Sequence, residues 1–271
     1  MRLPLSPLAP FRRPHFVSGG ISSPLDISGC GLWLDGSDAS TLYDATSGGS
    51  LVAAGGTVAR WEDKSGSARH ATQGTAGDRP TRQTAVQNGK DVLRFDGTSD
   101  YFGVAATTIT NNVSGVTLFL VAKCTNTTTV SQAGGVYFAS NAAGTRAAIF
   151  ANPTTANTVS YGGRRLDADA LDRNDLSVTH GGTFHVWSAV LNYSAATKQG
   201  YQDGTLGNND TSFQTAGNTS ATNSSVVNVG AVNATTFWPG DICEVVVYNR
   251  ALNSTERAQV EAYLKTKWGT P

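Results

Sequence analysis

Glutamate, the residue most often used to cut sugar chains, is scarce here: Glu62, Glu244, Glu256 and Glu261 are all of it. Cleavage of a glycosidic bond by paired carboxylates needs two of them converging, one as nucleophile or base and one as acid. No E-x-D-x-x-E string occurs, and Glu244 has no acid two or four positions away along its apolar run. No G-x-S-x-G, H-E-x-x-H or G-x-x-x-x-G-K-[ST] string appears either, so acyl transfer, zinc hydrolysis and phosphate cradling lack their usual carriers. His15, His70, His180 and His185 are scattered, and His185 falls in a stretch that a fold would cover. No catalytic residues are assigned, and the chain reads as a non-enzyme.

Two binding chemistries remain. Asp167, Asp169 and Asp172 crowd one loop-like segment and supply hard oxygens of the kind calcium takes, with Asp35/Asp38 and Asp96/Asp100 as lesser pairs. The competing reading is turn chemistry, in which aspartate bonds its own backbone, with Arg164, Arg165 and Arg173 to neutralise the cluster. No other cofactor is indicated. Carbohydrate recognition needs an exposed aromatic beside amide and acid side chains. Trp238, in a Pro-Gly turn, is the candidate, with Tyr161 and Tyr201 behind it; a covering role for Trp238 over the following strand competes with it. Trp33, Trp61, Trp187 and Trp268 fall on periodic apolar faces and read as core.

Composition limits the partners. Lys plus Arg equals Asp plus Glu, so no global field recruits nucleic acid or an anionic membrane. Cys30, Cys124 and Cys243 have no C-x-x-C spacing and read as buried free thiols. Thirty glycines with only 15% charged residues suit many short strands joined by tight turns.

The elements that must position these residues follow in order. Gly31–Asp35, Thr57–Trp61 and Val92–Gly97 read as strands of the N-terminal half, and Val116–Lys123 is the most apolar strand of the chain. Gly135–Ala139, Ala147–Ala151, Thr158–Tyr161 and the alternating Thr183–Tyr193 continue the series, and Tyr201-Gln-Asp-Gly204 is a hairpin signal. Val226–Val232 leads to a last strand at Ile242–Tyr248. Asn253 then stands as a helix N-cap with Glu256 three residues on, and Val260, Tyr263, Leu264 and Trp268 give the helix one apolar stripe that ends at Gly269.

The string Gly240, Ile242, Glu244, Val245, Val247, Tyr248, Arg250, Leu252, then Lys267, Trp268 and Gly269, resembles the closing signature of bacterial and phage domains with the concanavalin A-like, or laminin G-like, jelly-roll fold. Trp61-x-Asp63-x-Ser65-Gly66, Arg79-Pro80 and Phe95-Asp96-Gly97-x-x-Asp100-Tyr101 resemble the opening of the same modules, so the likeness brackets residues 31 to 269. The resemblance implies an all-β, two-sheet antiparallel jelly-roll sandwich with a C-terminal helix, and it adds to the case for a structural calcium at a loop edge. By itself it implies no activity.

Residues 1–25 are expected to be an extended N-terminal arm and 26–271 the jelly-roll domain. Pro4, Pro7, Pro10 and Pro14 forbid a helix or central strand and also interrupt any continuous leader segment. Arg2, Arg12 and Arg13 with Phe11 and Phe16 would let the arm dock in extended form on a neighbour. Arm and resemblance together point to a phage virion structural protein, for capsid decoration or tail attachment, held through its arm to other virion proteins and open to self-association. The alternative is a carbohydrate-binding module of a bacterial surface or secreted protein, with a host surface glycan as ligand.

Overall fold

The structure is a computed structural model that describes residues 20–105, 107–140 and 144–271. Its strands in chain order are β1 (Cys30–Asp35), β2 (Leu42–Tyr43), β3 (Arg60–Trp61), β4 (Ala71–Thr72), β5 (Thr81–Gln87), β6 (Lys90–Asp96) and β7 (Phe102–Val104). They continue with β8 (Gly115–Cys124), β9 (Ala133–Ser140), β10 (Thr145–Ala151), β11 (Thr158–Gly163), β12 (Asp172–Thr179) and β13 (His185–Asn192). The last are β14 (Thr197–Gln202), β15 (Thr205–Asp210), β16 (Ser224–Val229), β17 (Ala231–Val232), β18 (Thr236–Phe237) and β19 (Pro239–Tyr248), followed by helix α1 (Ser254–Trp268). No helix among the described residues is long and apolar enough to cross a membrane.

Two antiparallel sheets carry almost all of this. One runs β15-β14-β13-β8-β19-β6-β5, with β1 also paired to β19; the other runs β12-β11-β10-β9-β16-β7-β4-β3-β2. Strand alternation divides the apolar residues cleanly. Trp187, Ala189 and Leu191 of β13 point between the sheets with Phe138 and Ile149, whereas Val186 points outward with Phe119 and Val246 under the helix. The protein is an all-β two-sheet sandwich with one C-terminal helix, as the sequence predicts.

Helix α1 begins and ends as expected. Asn253 Oδ1 accepts from the Glu256 amide and Glu256 accepts from the Asn253 amide, a complete capping box, and Gly269 closes the helix at φ +62°. Val260, Leu264 and Trp268 are fully buried against the outer face of the first sheet.

Arg2, Phe11, Arg12, Arg13 and Phe16 lie outside the described residues. The end of the expected arm is described, and it is seated on the domain: Pro24 is buried in a 3-10 turn capped by Ser23, its carbonyl accepts from the buried Tyr248 hydroxyl at 2.7 Å, and Ile21 packs on the helix-side core. The folded body therefore starts several residues before 26.

Candidate functional site

The outer face of the nine-stranded sheet carries the arrangement best suited to hold a small polar ligand. Register places Tyr43, Arg60, Thr72, Gly103, Asn228, Tyr137, Ala148, Gly162 and Arg173 side by side across it, one from each strand. Their chain neighbours Trp61, Ala71, Val104, Val227, Phe138 and Ala147 face the core, so the row faces outward. In the middle of it Gly103 contributes no side chain, and a Cβ there would meet nothing closer than the Thr72 carbonyl at 3.8 Å. The gap is the floor of an open cleft of about 310 Å³ edged by Tyr101, Val226, Asn228, Asn233 and Ala234.

Each wall has a local cause. Tyr101 sits two residues before Gly103 on the same face, half-buried, and packs against half-buried Phe237 at 6.1 Å between ring centroids. Asn233 and Ala234, both near φ +54°, are the central pair of a turn within the three-residue connection 233–235 between β17 and β18, closed by the Thr235 amide donating to the Val232 carbonyl at 2.9 Å. That is the primed turn a twisted hairpin requires, and it carries Asn233 to the rim. β17 lies across Gly134 of β9, where a Cβ would come within 2.4 Å of the Ala231 backbone.

Asn228 is the unusual member. The residue is only 4% exposed, yet its Oδ1, itself almost without accessible surface, has no hydrogen-bond partner among the described residues. Buried amides are ordinarily satisfied, and leaving one unsatisfied costs about 1–3 kcal/mol. An unpaired, buried acceptor thus lies at the edge of the cleft.

None of the three aromatics that the sequence offered as a platform is exposed. Trp238 is fully buried: its ring packs edge-on to Trp187 at 6.0 Å and its Nε1 donates to the Lys123 carbonyl. The covering role is the one it fills, and strand alternation turns its neighbour Phe237 outward instead. Tyr161 and Tyr201 are likewise enclosed. The Tyr161 hydroxyl donates to Asn208 Oδ1 in the core, and Tyr201 lies beneath the Arg257 guanidinium at 3.7 Å.

The three candidate calcium ligands do not converge. Asp167 accepts from the buried Arg146 guanidinium and from Thr222, Asp169 accepts from the Leu166 amide at 2.8 Å, and Asp172 pairs with the buried Lys198 ammonium. Asp172 and Asp175 stand on strand β12, where sequence suggested a loop. Asp167 and Asp172 are thus neutralised by Arg146 and Lys198 rather than by Arg164, Arg165 or Arg173, Asp169 bonds its own turn, and among the described residues no three His, Cys, Asp or Glu side chains stand together where they could hold a metal.

Every glutamate is engaged in structure. Glu244 is fully buried and accepts from two indoles, Trp33 Nε1 at 2.7 Å and Trp268 Nε1 at 2.6 Å. The Lys267 ammonium lies 2.7 Å from both Glu244 and Asp35, which face each other across the β1–β19 pair, at angles that make the contact ionic rather than a well-formed hydrogen bond. Burial, then the Asp35 charge, raises the Glu244 pKa; burial would raise Asp35 too, but Lys267 holds it below the usual range. Glu261 pairs with Arg257 and accepts from Ser188, Glu256 belongs to the cap and Arg250, and Glu62 pairs with Arg60. Asp35 and Glu244 meet as a buried ionic core, an arrangement that braces the helix.

No protein-family model and no curated protein sequence matches the chain. Solved structures do match in shape. The binding domain of Paraclostridial Mosquitocidal Protein 1 aligns with a TM-score of 0.60 at 14% identity, over 92% of this chain and 56% of that one. The Botulinum neurotoxin serotype D binding domain aligns at 0.57 with 10% identity, over 90% and 54%. Trypanosoma rangeli sialidase in complex with sialic acid aligns at 0.55 with 13% identity, over 89% and 33%. The chain thus spans just over half the length of the two toxin structures and a third of the sialidase. At such identity the likeness establishes the β-sandwich fold alone.

Proposed function

We propose that this protein is a non-catalytic carbohydrate-binding module, acting outside the cell or at a surface, that holds a glycan in the cleft on the nine-stranded sheet. The observation that carries this reading is the buried, unpartnered Asn228 Oδ1 in a cleft that has Tyr101 on its rim and a glycine as its floor. A sugar ring has apolar C–H faces and hydroxyls that both donate and accept, and it complements such a site on both counts. Two of the structures of similar shape are described as binding domains, which is consistent with a scaffold used for ligand capture. The virion protein tethered by its arm rests on residues outside the described ones and on the sequence resemblance, so it takes second place.

The test is a glycan array followed by titration of whatever binds. Tyr101→Ala and Asn228→Ala should each weaken binding about tenfold or more, the equivalent of roughly 1.4 kcal/mol, with melting temperature measured alongside. Retained affinity in both variants, or no glycan bound by the wild-type protein, would overturn the reading.

A further inference from the structure

The cleft's charge pattern selects among sugars. Resting on the reading of the cleft as a glycan site, we infer that it takes an uncharged sugar and rejects sugars that carry a carboxylate. None of the residues lining the cleft is charged. A carboxylate moved into it would lose water without gaining a cation, and desolvating an unpaired charge is far more costly than desolvating a hydroxyl.

The surroundings add repulsion. At the Tyr101 end, the Tyr101 amide donates to the Asp78 carbonyl, Asp100 immediately precedes Tyr101, and Asp96 bonds the Asp100 amide. Asp78, Asp96 and Asp100 thus cluster near the Tyr101 backbone, with the Arg79 guanidinium held nearby on the Gln73 and Gly74 carbonyls. Arg60 stands two strands from Gly103 along the row, about 10 Å at ordinary strand spacing. Its guanidinium is already committed to Glu62, the Ala45 carbonyl and the Tyr43 ring. Arg173, at the far end of the row, lies over Phe150. Specificity arises here from a lining that offers polar and apolar groups to a neutral sugar but no cation to a carboxylate, with three acids near the Tyr101 backbone adding unfavourable charge.

The cleft volume of about 310 Å³ lies at the small end of ligand sites, which suits a terminal sugar rather than a long polymer lying across the sheet. The open side leaves room for the rest of the glycan to run into solvent.

Amide-resolved NMR titration tests this directly, with methyl glycosides of glucose, galactose, mannose, N-acetylglucosamine and N-acetylgalactosamine as neutral probes, and N-acetylneuraminic and glucuronic acids as anionic ones. At least one neutral probe should shift the amides of Gly103, Asn228 and Asn233, and the anionic probes should bind there at least tenfold more weakly at pH 7 and moderate salt. Asp78→Asn should narrow that gap by strengthening anionic binding while leaving neutral binding unchanged. Anionic probes that shift these amides as strongly as neutral ones would overturn the inference and leave the cleft standing as a glycan site. If no probe of either class shifts them, the glycan reading itself fails and takes the inference with it.

Discussion

Single side chains decide how acid affects this fold, and two of them act in opposition. Burial, then the neighbouring Asp96 charge, raises the Asp100 pKa to about 6, whereas burial, then His185, lowers His180 to about 4. Between pH 4 and 6 the folded state binds more protons than the unfolded at Asp100, so that residue makes stability fall as pH rises. At His180 the unfolded state binds more protons from 4 to 6.5, so stability rises with pH and is lost on acidification. Asp100→Asn removes the first contribution and should steepen the loss of stability from pH 6 to 4, by at most one proton's linkage, measured from urea midpoints across that range. An unchanged slope would place the Asp100 pKa near its ordinary value. Residue-scale features were the least legible in sequence. Asn228 sits in Val226-Val-Asn-Val-Gly230 and looks like a polar interruption of a buried strand; its meaning depends on Gly103 being opposite, which only register supplies. The β17–β18 hairpin was hidden because Asn233-Ala234 uses alanine where the common turn signal has glycine.

At the scale of elements, the C-terminal signature turns out to be a contact list. Glu244 of β19 reaches Lys267 and Trp268 of α1 and Trp33 of β1, so the motif residues that are far apart in sequence share one ionic and hydrogen-bonded cluster. The helix, its cap and its buried stripe could be read directly, because periodicity and capping are local properties. The cluster could not, since it requires Asp35 to pair with Glu244 across strands that are distant in sequence. Trp268 contributes both volume and an indole donor to this cluster. Trp268→Ala should cost about 3–5 kcal/mol through the cavity and the lost contacts. Trp268→Phe keeps most of the volume and should cost only about 1–3 kcal/mol, from the lost indole donor to a carboxylate oxygen that still has the Lys267 charge beside it. Chemical denaturation of both variants separates the two contributions; equal losses would mean that the hydrogen bond to Glu244 outweighs the packing.

On the scale of the whole molecule, the sandwich has two outer faces with different duties. One is covered by α1 and by the segment that brings the chain in at Gly20–Asp26; the other carries the cleft. The strongly apolar strands β8 and β19 predicted the layered core and Thr57–Trp61 anticipated β3, but the polar edge strand β12 and the short strands β2 and β4 have too little periodicity to be read without partners. Two truncations test this division of faces. Removing residues 20–26 in addition to 1–19 strips the buried Tyr248 hydroxyl of its acceptor, the Pro24 carbonyl, and uncovers apolar surface that Ile21 and Pro24 occupy. An unpaired buried hydroxyl and that lost burial together amount to roughly 2–4 kcal/mol, so the longer truncation should melt at lower temperature than the shorter one. Glycan affinity should be the same in both wherever the protein remains folded, because the cleft is built on the opposite sheet. Equal melting temperatures would show that Gly20–Asp26 merely lies on the surface, and a loss of binding in the longer truncation of folded protein would show that the two faces are coupled.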